Sequence, residues 1–234
     1  MNRNILKYVA VIAMLSDHIG LVFVGMDSPL GIAMRVFGRL TAPIMCYFLV
    51  EGYMHTHSKK RYAARLLVFA LISQMPFAYL LAGDITVLKF NMIFTLFLCF
   101  MMLLTIEKIE SRVLKFILVL MIYSVCDYCD WGVAAPLWVM AFMLCRNDKK
   151  KLCFAYALIC LFWVVRATTM AVSDGGMWYD GLWQAGTFAF IPVIYLYNGK
   201  SGESSKFSKW FFYWFYPVHI LIIAVIYRNI LPFI

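Results

Sequence analysis

Long apolar runs separated by short polar connections set the pattern of this chain from end to end. Runs near 20 residues recur, and about 20 apolar residues at α-helical rise cross a hydrocarbon layer of roughly 30 Å. The pattern predicts about nine transmembrane helices, at 5–25, 31–54, 62–82, 86–106, 112–130, 131–146, 152–172, 180–197 and 209–231. Backbone groups in lipid must be satisfied within their own segment. The runs are continuous rather than ten-residue alternations, so helices are predicted and barrel strands are not. A tight polar turn from Asp127 to Gly132 leaves the sixth span short, and a re-entrant hairpin over 126–146 is the alternative there. The expected fold is an all-α polytopic membrane helical bundle, with residues 1–234 forming one integral membrane domain.

Composition agrees. The chain is 64% hydrophobic and only 14% charged, which excludes a disordered chain, a coiled coil and a soluble Rossmann or barrel enzyme. A net charge of +9 would suggest nucleic acid in a soluble protein; here it reads as topology, and no nucleic-acid partner is expected. Sixteen of the 21 basic residues fall on alternate connections: Arg3 and Lys7; Lys59, Lys60, Arg61 and Arg65; Lys108, Arg112 and Lys115; Arg146 and Lys149 to Lys151; Lys200, Lys206 and Lys209. The other connections carry Asp27, Asp84, Asp127, Asp130, Asp174 and Asp180. By the positive-inside rule the N-terminus and the basic loops are cytoplasmic, and nine spans put the C-terminus outside. The apolar stretch after Arg3 meets Asp17 and His18 without a small-residue cleavage site, so it is a span rather than a signal peptide. The longest loop, around Asn198 to Lys209, reads as a flexible connector.

An ionisable group near the centre of a membrane helix costs roughly 2.5–3.5 kcal/mol, so Asp17, Arg35, Arg39 and Arg166 must face the bundle interior. With the second span running inward, Arg39 lies near the depth of Asp17, and the two are expected to pair. Arg35 is one turn above Arg39 on the same face. Lys7 and His18 are eleven residues apart, three turns and about 16 Å, with a residual rotation of about 20°. They share one face. Glu51 sits at the level of Lys7, so Lys7 is either its salt-bridge partner, a snorkelling anchor or a phosphate contact. His18 has the titration range of a general base. Helix neighbours point about 100° apart, so Asp17 is assigned to Arg39 rather than to a dyad with His18. His219, after Tyr216 and Pro217, is either a hydrogen-bonded packing residue or a functional one.

Cys126 and Cys129 have C-x-x-C spacing, which allows a disulfide or a metal site, while the other five cysteines lie in or beside apolar spans. No metal is expected. His55 and His57 belong to a solvated basic loop, and the aromatic cluster from Trp210 to Tyr216 reads as an interfacial belt.

A set of motifs runs through the chain: Asp17-His18-Ile19-Gly20, Gly38-Arg39 before Pro43, Glu51-Gly52 before Thr56, Tyr62 with Arg65, Ser73 with Pro76-Phe77, Asn91 before Thr95, and Tyr216-Pro217 before His219. Together these resemble the TraX family over nearly the whole chain. Members are membrane proteins named for a conjugation protein that N-acetylates the pilin subunit, and the family is similar to the acyltransferase-3 group. That group carries a basic residue, ten intervening residues and a histidine in its first span, a spacing that Lys7 and His18 match. The resemblance implies acetyl-CoA as donor and the bacterial inner, cytoplasmic membrane as location. Its phosphates would meet Lys7, Lys59, Lys60, Arg61 and Arg65, with Glu51 beside Lys7. His18 would take a proton from an amine or hydroxyl of an acceptor peptide, glycan or small amine. Arg39 or Arg35 would stabilise the oxyanion, with Asp17 holding Arg39. Asn91, Arg166, Tyr216 and His219 are expected toward the acceptor. A transporter of a small polar solute and an assembly factor for a surface structure are the alternatives.

Overall fold

The computed structural model describes residues 1–82, 89–200 and 206–230. Asp84, positions 86–88 of the fourth predicted span, positions 201–205 of the connector and position 231 of the last span lie outside the described residues, as do the side chains of Lys206 and Lys209. The described chain is helical, with one isolated bridge between Phe90 and Cys129.

Helix starts follow from local capping chemistry. Asn2 opens α1 (Arg3–Ile19) by accepting from the Ile5 amide at 3.0 Å. A widened π turn (Gly20–Val24) continues it. Ser28 caps α2 (Pro29–Gly38), accepting from the Gly31 amide at 3.0 Å, with Pro29 at the first helical position, where its missing N–H costs nothing. A short break at Arg39 and Leu40 precedes α3 (Thr41–His55). Then come α4 (Lys59–Ala82), α5 (Met92–Lys108) capped by Asn91, α6 (Arg112–Cys126) capped by Ser111, and α7 (Ala134–Leu144). Asp148 caps α8 (Lys149–Ser173), a 3-10 helix (Trp178–Ala189) leads into α9 (Phe190–Leu196), and α10 (Lys206–Val225) ends in a second π turn (Ile226–Ile230).

Among the described residues, five helical stretches are long and apolar enough to cross a membrane: Arg3–Val24, Pro29–His55, Lys59–Ala82, Lys149–Ser173 and Trp210–Asn229. They coincide with the first, second, third, seventh and ninth predicted spans. The other four are shorter or different in kind. The helices α5 and α6 have 17 and 15 residues. With 11 residues, α7 reaches only about 16 Å, half of a hydrocarbon layer. The eighth span, placed at 180–197, is not one α-helix: its first part is the 3-10 helix and only Phe190–Leu196 is α-helical.

The helices group into two compact units, Met1–Met45 with Ala141–Phe212, and Cys46–Met140 with Tyr213–Ile234. In the first, α1 buries Leu6, Ala10, Ala13, Met14 and Asp17, an i, i+4, i+7, i+8, i+11 stripe that is apolar until its last member. Thr41 donates its hydroxyl to the Ala10 carbonyl at 3.2 Å, and Ser16 donates to that of Met34 at 3.3 Å. The 3-10 helix lies close on two neighbours. A Cβ at Gly186 would come within 2.1 Å of the Val36 carbonyl oxygen, and one at Gly181 within 2.5 Å of the Thr168 nitrogen. Only glycine admits those approaches.

In the second unit the fully buried Phe100 takes the edges of Tyr53 and Tyr62, with ring centroids at 5.1 and 4.8 Å. Asn91 ties α5 to α4. Its Oδ1 accepts from the Ile93 and Phe94 amides, and its Nδ2 donates to the Ala70 carbonyl at 2.7 Å and to Gln74 Oε1 at 2.8 Å.

Candidate functional site

The charged residues that α1 and α2 carry into the first unit meet at one point. Asp17 ends the buried stripe of α1, while Arg35 lies in the last turn of α2 and Arg39 caps it. Cations are favoured there, because the last carbonyls of a helix carry its negative pole. Asp17 Oδ2 lies 2.9 Å from Arg35 Nη1 and 2.5 Å from Arg39 Nη2. Asp17 and Arg35 are each 8% exposed. Both arginines therefore reach the carboxylate, where the sequence pointed to Arg39 alone; Arg39, still αR and bonded through its amide to the Arg35 carbonyl at 3.2 Å, lies one turn below Arg35 on the same face.

One carboxylate oxygen serves two guanidiniums. The indole of Trp183, from the 3-10 helix, covers both cations, with its ring centroid 4.2 Å from the Arg35 guanidinium carbon and 4.6 Å from that of Arg39. A cation over the indole face gains from the ring quadrupole, and more so out of water. The glycines on either side, Gly181 and Gly186, bring the 3-10 helix near enough for this stack. The next residue, Gln184, accepts from Trp163 Nε1 of α8 at 3.1 Å, and Trp163 in turn lies under Arg166 at 5.4 Å. Arg166 thus belongs to the same unit as the pair, one aromatic layer further along α8 and the 3-10 helix.

His18 follows Asp17 on α1 and is half-buried. The helix is unbroken from Arg3 to Ile19, so Lys7, Met14 and His18 fall on one line at the flank of the buried stripe. Lys7 Nζ lies 4.8 Å from the centre of the Phe212 ring.

The remaining candidates belong to the second unit. Lys59 and the Tyr53 hydroxyl both bond Glu107 Oε2, and Lys59 also sits over the Tyr53 ring at 4.1 Å. Glu107 follows the apolar run that ends at Ile106; the hydrogen bonds from Lys59 and then Tyr53 hold its carboxyl at about 2, below the ordinary 4.5. Lys60 and Arg61 are exposed on the first turn of α4, and Arg65 lies over Tyr62 at 5.5 Å. Glu51 is half-buried on α3, and its carbonyl is 2.8 Å from His55 Nδ1. Tyr216, 1% exposed, accepts from the Met92 amide at 3.4 Å. His219 is 6% exposed and stacks on Phe215 at 4.5 Å. Its Nδ1 is 2.7 Å from the Phe215 carbonyl, which can only accept, so Nδ1 carries the proton. Cys126 and Cys129 are buried free thiols. Among the described residues no three His, Cys, Asp or Glu are arranged to hold a metal.

Trp183, Gln184 and Trp163 were not expected. Their signal in the sequence is Gly181-Leu-Trp-Gln-Ala-Gly186, two glycines five apart flanking an aromatic and an amide inside an apolar run. Such spacing is wrong for a lipid-facing helix and right for a backbone pressed between two others.

Helical architecture in the described residues, with five apolar stretches of membrane length among them and a buried charge cluster, defines a multi-pass membrane protein. The chain belongs to the TraX family: the family model described as TraX protein matches residues 2–227. It is 32% identical over 239 residues to a probable fimbrial assembly protein FimC, serogroup H1, of Dichelobacter nodosus, covering 96% of this chain and 97% of that relative. No solved structure matches.

Proposed function

We propose that this protein serves the assembly of fimbriae from within the bacterial cytoplasmic membrane, with its basic connections on the cytoplasmic side. The observation that carries this reading is the similarity to a fimbrial assembly protein over essentially the full length of both chains. Deleting the gene in its own host and counting surface fimbriae by electron microscopy tests it. Loss of fimbriae at unchanged pilin level, restored by the wild-type gene, supports the reading; unchanged fimbriation overturns it.

A second reading concerns the chemistry performed in that assembly: transfer of an acetyl group from acetyl-CoA to an amine or hydroxyl of an acceptor peptide, glycan or small amine. It is favoured by one arrangement, the half-buried His18 beside Asp17 on a helix that also carries Lys7 on the same line, within a unit that holds two buried guanidiniums. The imidazole takes the proton of the acceptor as its nitrogen or oxygen bonds the thioester carbonyl carbon. The guanidinium edges of Arg39 and Arg35 meet the charge that develops on the carbonyl oxygen. The carbon–sulfur bond then breaks, and the thiolate of CoA leaves and is protonated. In the second unit, Lys60 and Arg61 are exposed at the start of α4, whereas Lys59 is engaged by Glu107. The test is incubation of purified protein with acetyl-CoA and pilin, following thiol release and the mass of the acceptor. Release without a modified acceptor, or no release, removes this reading and leaves the assembly role intact.

A further inference from the structure

The geometry points to Cys126 and Cys129 as a modification site: the pair closes to a disulfide at the end of α6, on the side of the membrane away from the cytoplasm. That side rests on the orientation proposed above, with the basic connections inside; the pairing rests on the second unit alone.

The backbone brings the two residues together. Where α6 ends, the Cys129 amide donates to the Cys126 carbonyl at 2.9 Å, and Asp127 has φ −64° and ψ −25°, as the second residue of a type I turn does. Such a turn sets its first and fourth Cα atoms within about 7 Å, and a disulfide spans about 4.4–6.8 Å. The far end is anchored, because the Phe90 amide donates to the Tyr128 carbonyl at 3.0 Å and the Asp130 amide to that of Phe90 at 2.9 Å. Held there, Cys129 turns its Sγ back on the last turn of α6, 3.5 Å from the Val125 carbonyl oxygen. It is then within side-chain hydrogen-bonding reach of the Cys126 thiol. Cys99 also reaches Cys126, but it is fully buried in the middle of α5, whereas two exposed residues, Asp127 and Tyr128, separate Cys126 from Cys129.

Compartment decides what two adjacent thiols become. Helix α6 starts with Arg112 and Lys115 and ends at Cys126, before Asp127 and Asp130. The basic end lies inside and the acidic end outside, where disulfides form and persist. Oxidation takes place as the segment emerges, before the fold buries both sulfurs. The oxidant is a disulfide carried by another thiol compound or protein. Cys129, as thiolate, attacks one of its sulfurs and releases a thiol; Cys126 then attacks Cys129 Sγ, the intramolecular bond forms and the second thiol leaves. Two electrons pass to the incoming disulfide, and the two protons end on the released thiols.

The experiment counts thiols. Cells of its own host expressing the full-length protein are quenched in trichloroacetic acid without reductant, and the denatured chain is alkylated with N-ethylmaleimide and weighed intact. Five of the seven cysteines should be alkylated, and all seven after reduction. Cys126→Ser and Cys129→Ser should each show six alkylated thiols, and Cys99→Ser four. Seven in the unreduced wild type overturns the proposal, and so does four in Cys129→Ser, which gives the bond to Cys99. Orientation is read separately. Tyr128 is 66% exposed, so Tyr128→Cys, in a chain that also carries Cys126→Ser and Cys129→Ser, should react with a membrane-impermeant maleimide added to spheroplasts. Labelling there with seven free thiols in the wild type rejects the disulfide and leaves the orientation standing. No labelling removes the orientation, and the proposal with it.

Discussion

Gly38 and Asp17 touch where α2 ends on α1: an added Cβ on Gly38 would lie 2.4 Å from both the Cβ and Oδ1 of Asp17. Nothing but hydrogen fits there. Gly38→Ala must push the carboxylate away from both guanidiniums, and overpacking of this kind costs about 2 kcal/mol. Thermal melting in detergent checks it; a Tm equal to wild type would mean that α1 and α2 part easily and that the charge cluster is loosely held.

Asp17→Asn removes the carboxylate that both arginines contact. Breaking a buried pair from one side costs about 3–5 kcal/mol, because the partner charges stay behind. Folded yield from membranes should fall sharply, and the double variant Asp17→Asn with Arg39→Gln should recover part of it. If the double variant is worse than the sum of the singles, the pair is not the coupled unit described above.

His18 is half-buried on the flank of the α1 stripe rather than in its core. His18→Ala should therefore leave stability within about 0.5–1 kcal/mol of wild type while abolishing acetyl transfer. A variant that keeps its turnover takes the base role away from His18.

Asn91 uses its side chain on four backbone or amide partners in the second unit. Removing it takes a helix cap and leaves the Ala70 carbonyl without that donor, so Asn91→Ala should cost about 2–3 kcal/mol. A melting curve measures this; a neutral substitution accompanied by weakened acceptor binding would instead give Asn91 the acceptor-facing role.

Glu107 is held charged by Lys59 and Tyr53, with its carboxyl at about 2 against an ordinary 4.5. Its native value is depressed, so its contribution is fully present above the unfolded value and is lost as pH falls from about 4.5 toward 2. The loss of Tm across that window should be smaller in Glu107→Gln than in wild type. Equal acid profiles for the two proteins would show that the ion pair has no bearing on stability.

Much of the first unit was legible. Asp17 and Arg39 could be matched because an unpaired charge in lipid is too costly to leave alone, and helical rise fixed which residues share a depth. The division of Asp17 between Arg35 and Arg39 was not legible, because both lie on one face a turn apart and only side-chain geometry decides that a single oxygen, Oδ2, serves both. The 3-10 helix escaped for a similar reason. Hydrophobicity gives the residues at 180–197 the weight of a span, but Gly181 and Gly186 hold that backbone against α8 and α2, and close packing rather than lipid sets its geometry. Trp183 went unnoticed with it. In the second unit the basic start of α4 reads as a uniform cationic patch, and only the fold reveals that Lys59 is taken by a glutamate 48 residues away.

Trp183 presents its ring to two guanidinium groups at once, in a chain with seven tryptophans. Indole emission shifts with the electric field along the ring. The protein thus carries its own optical voltmeter beside the shared carboxylate, and an unlabelled sample, read by differencing against Trp183→Phe, would report any change in that local field in real time.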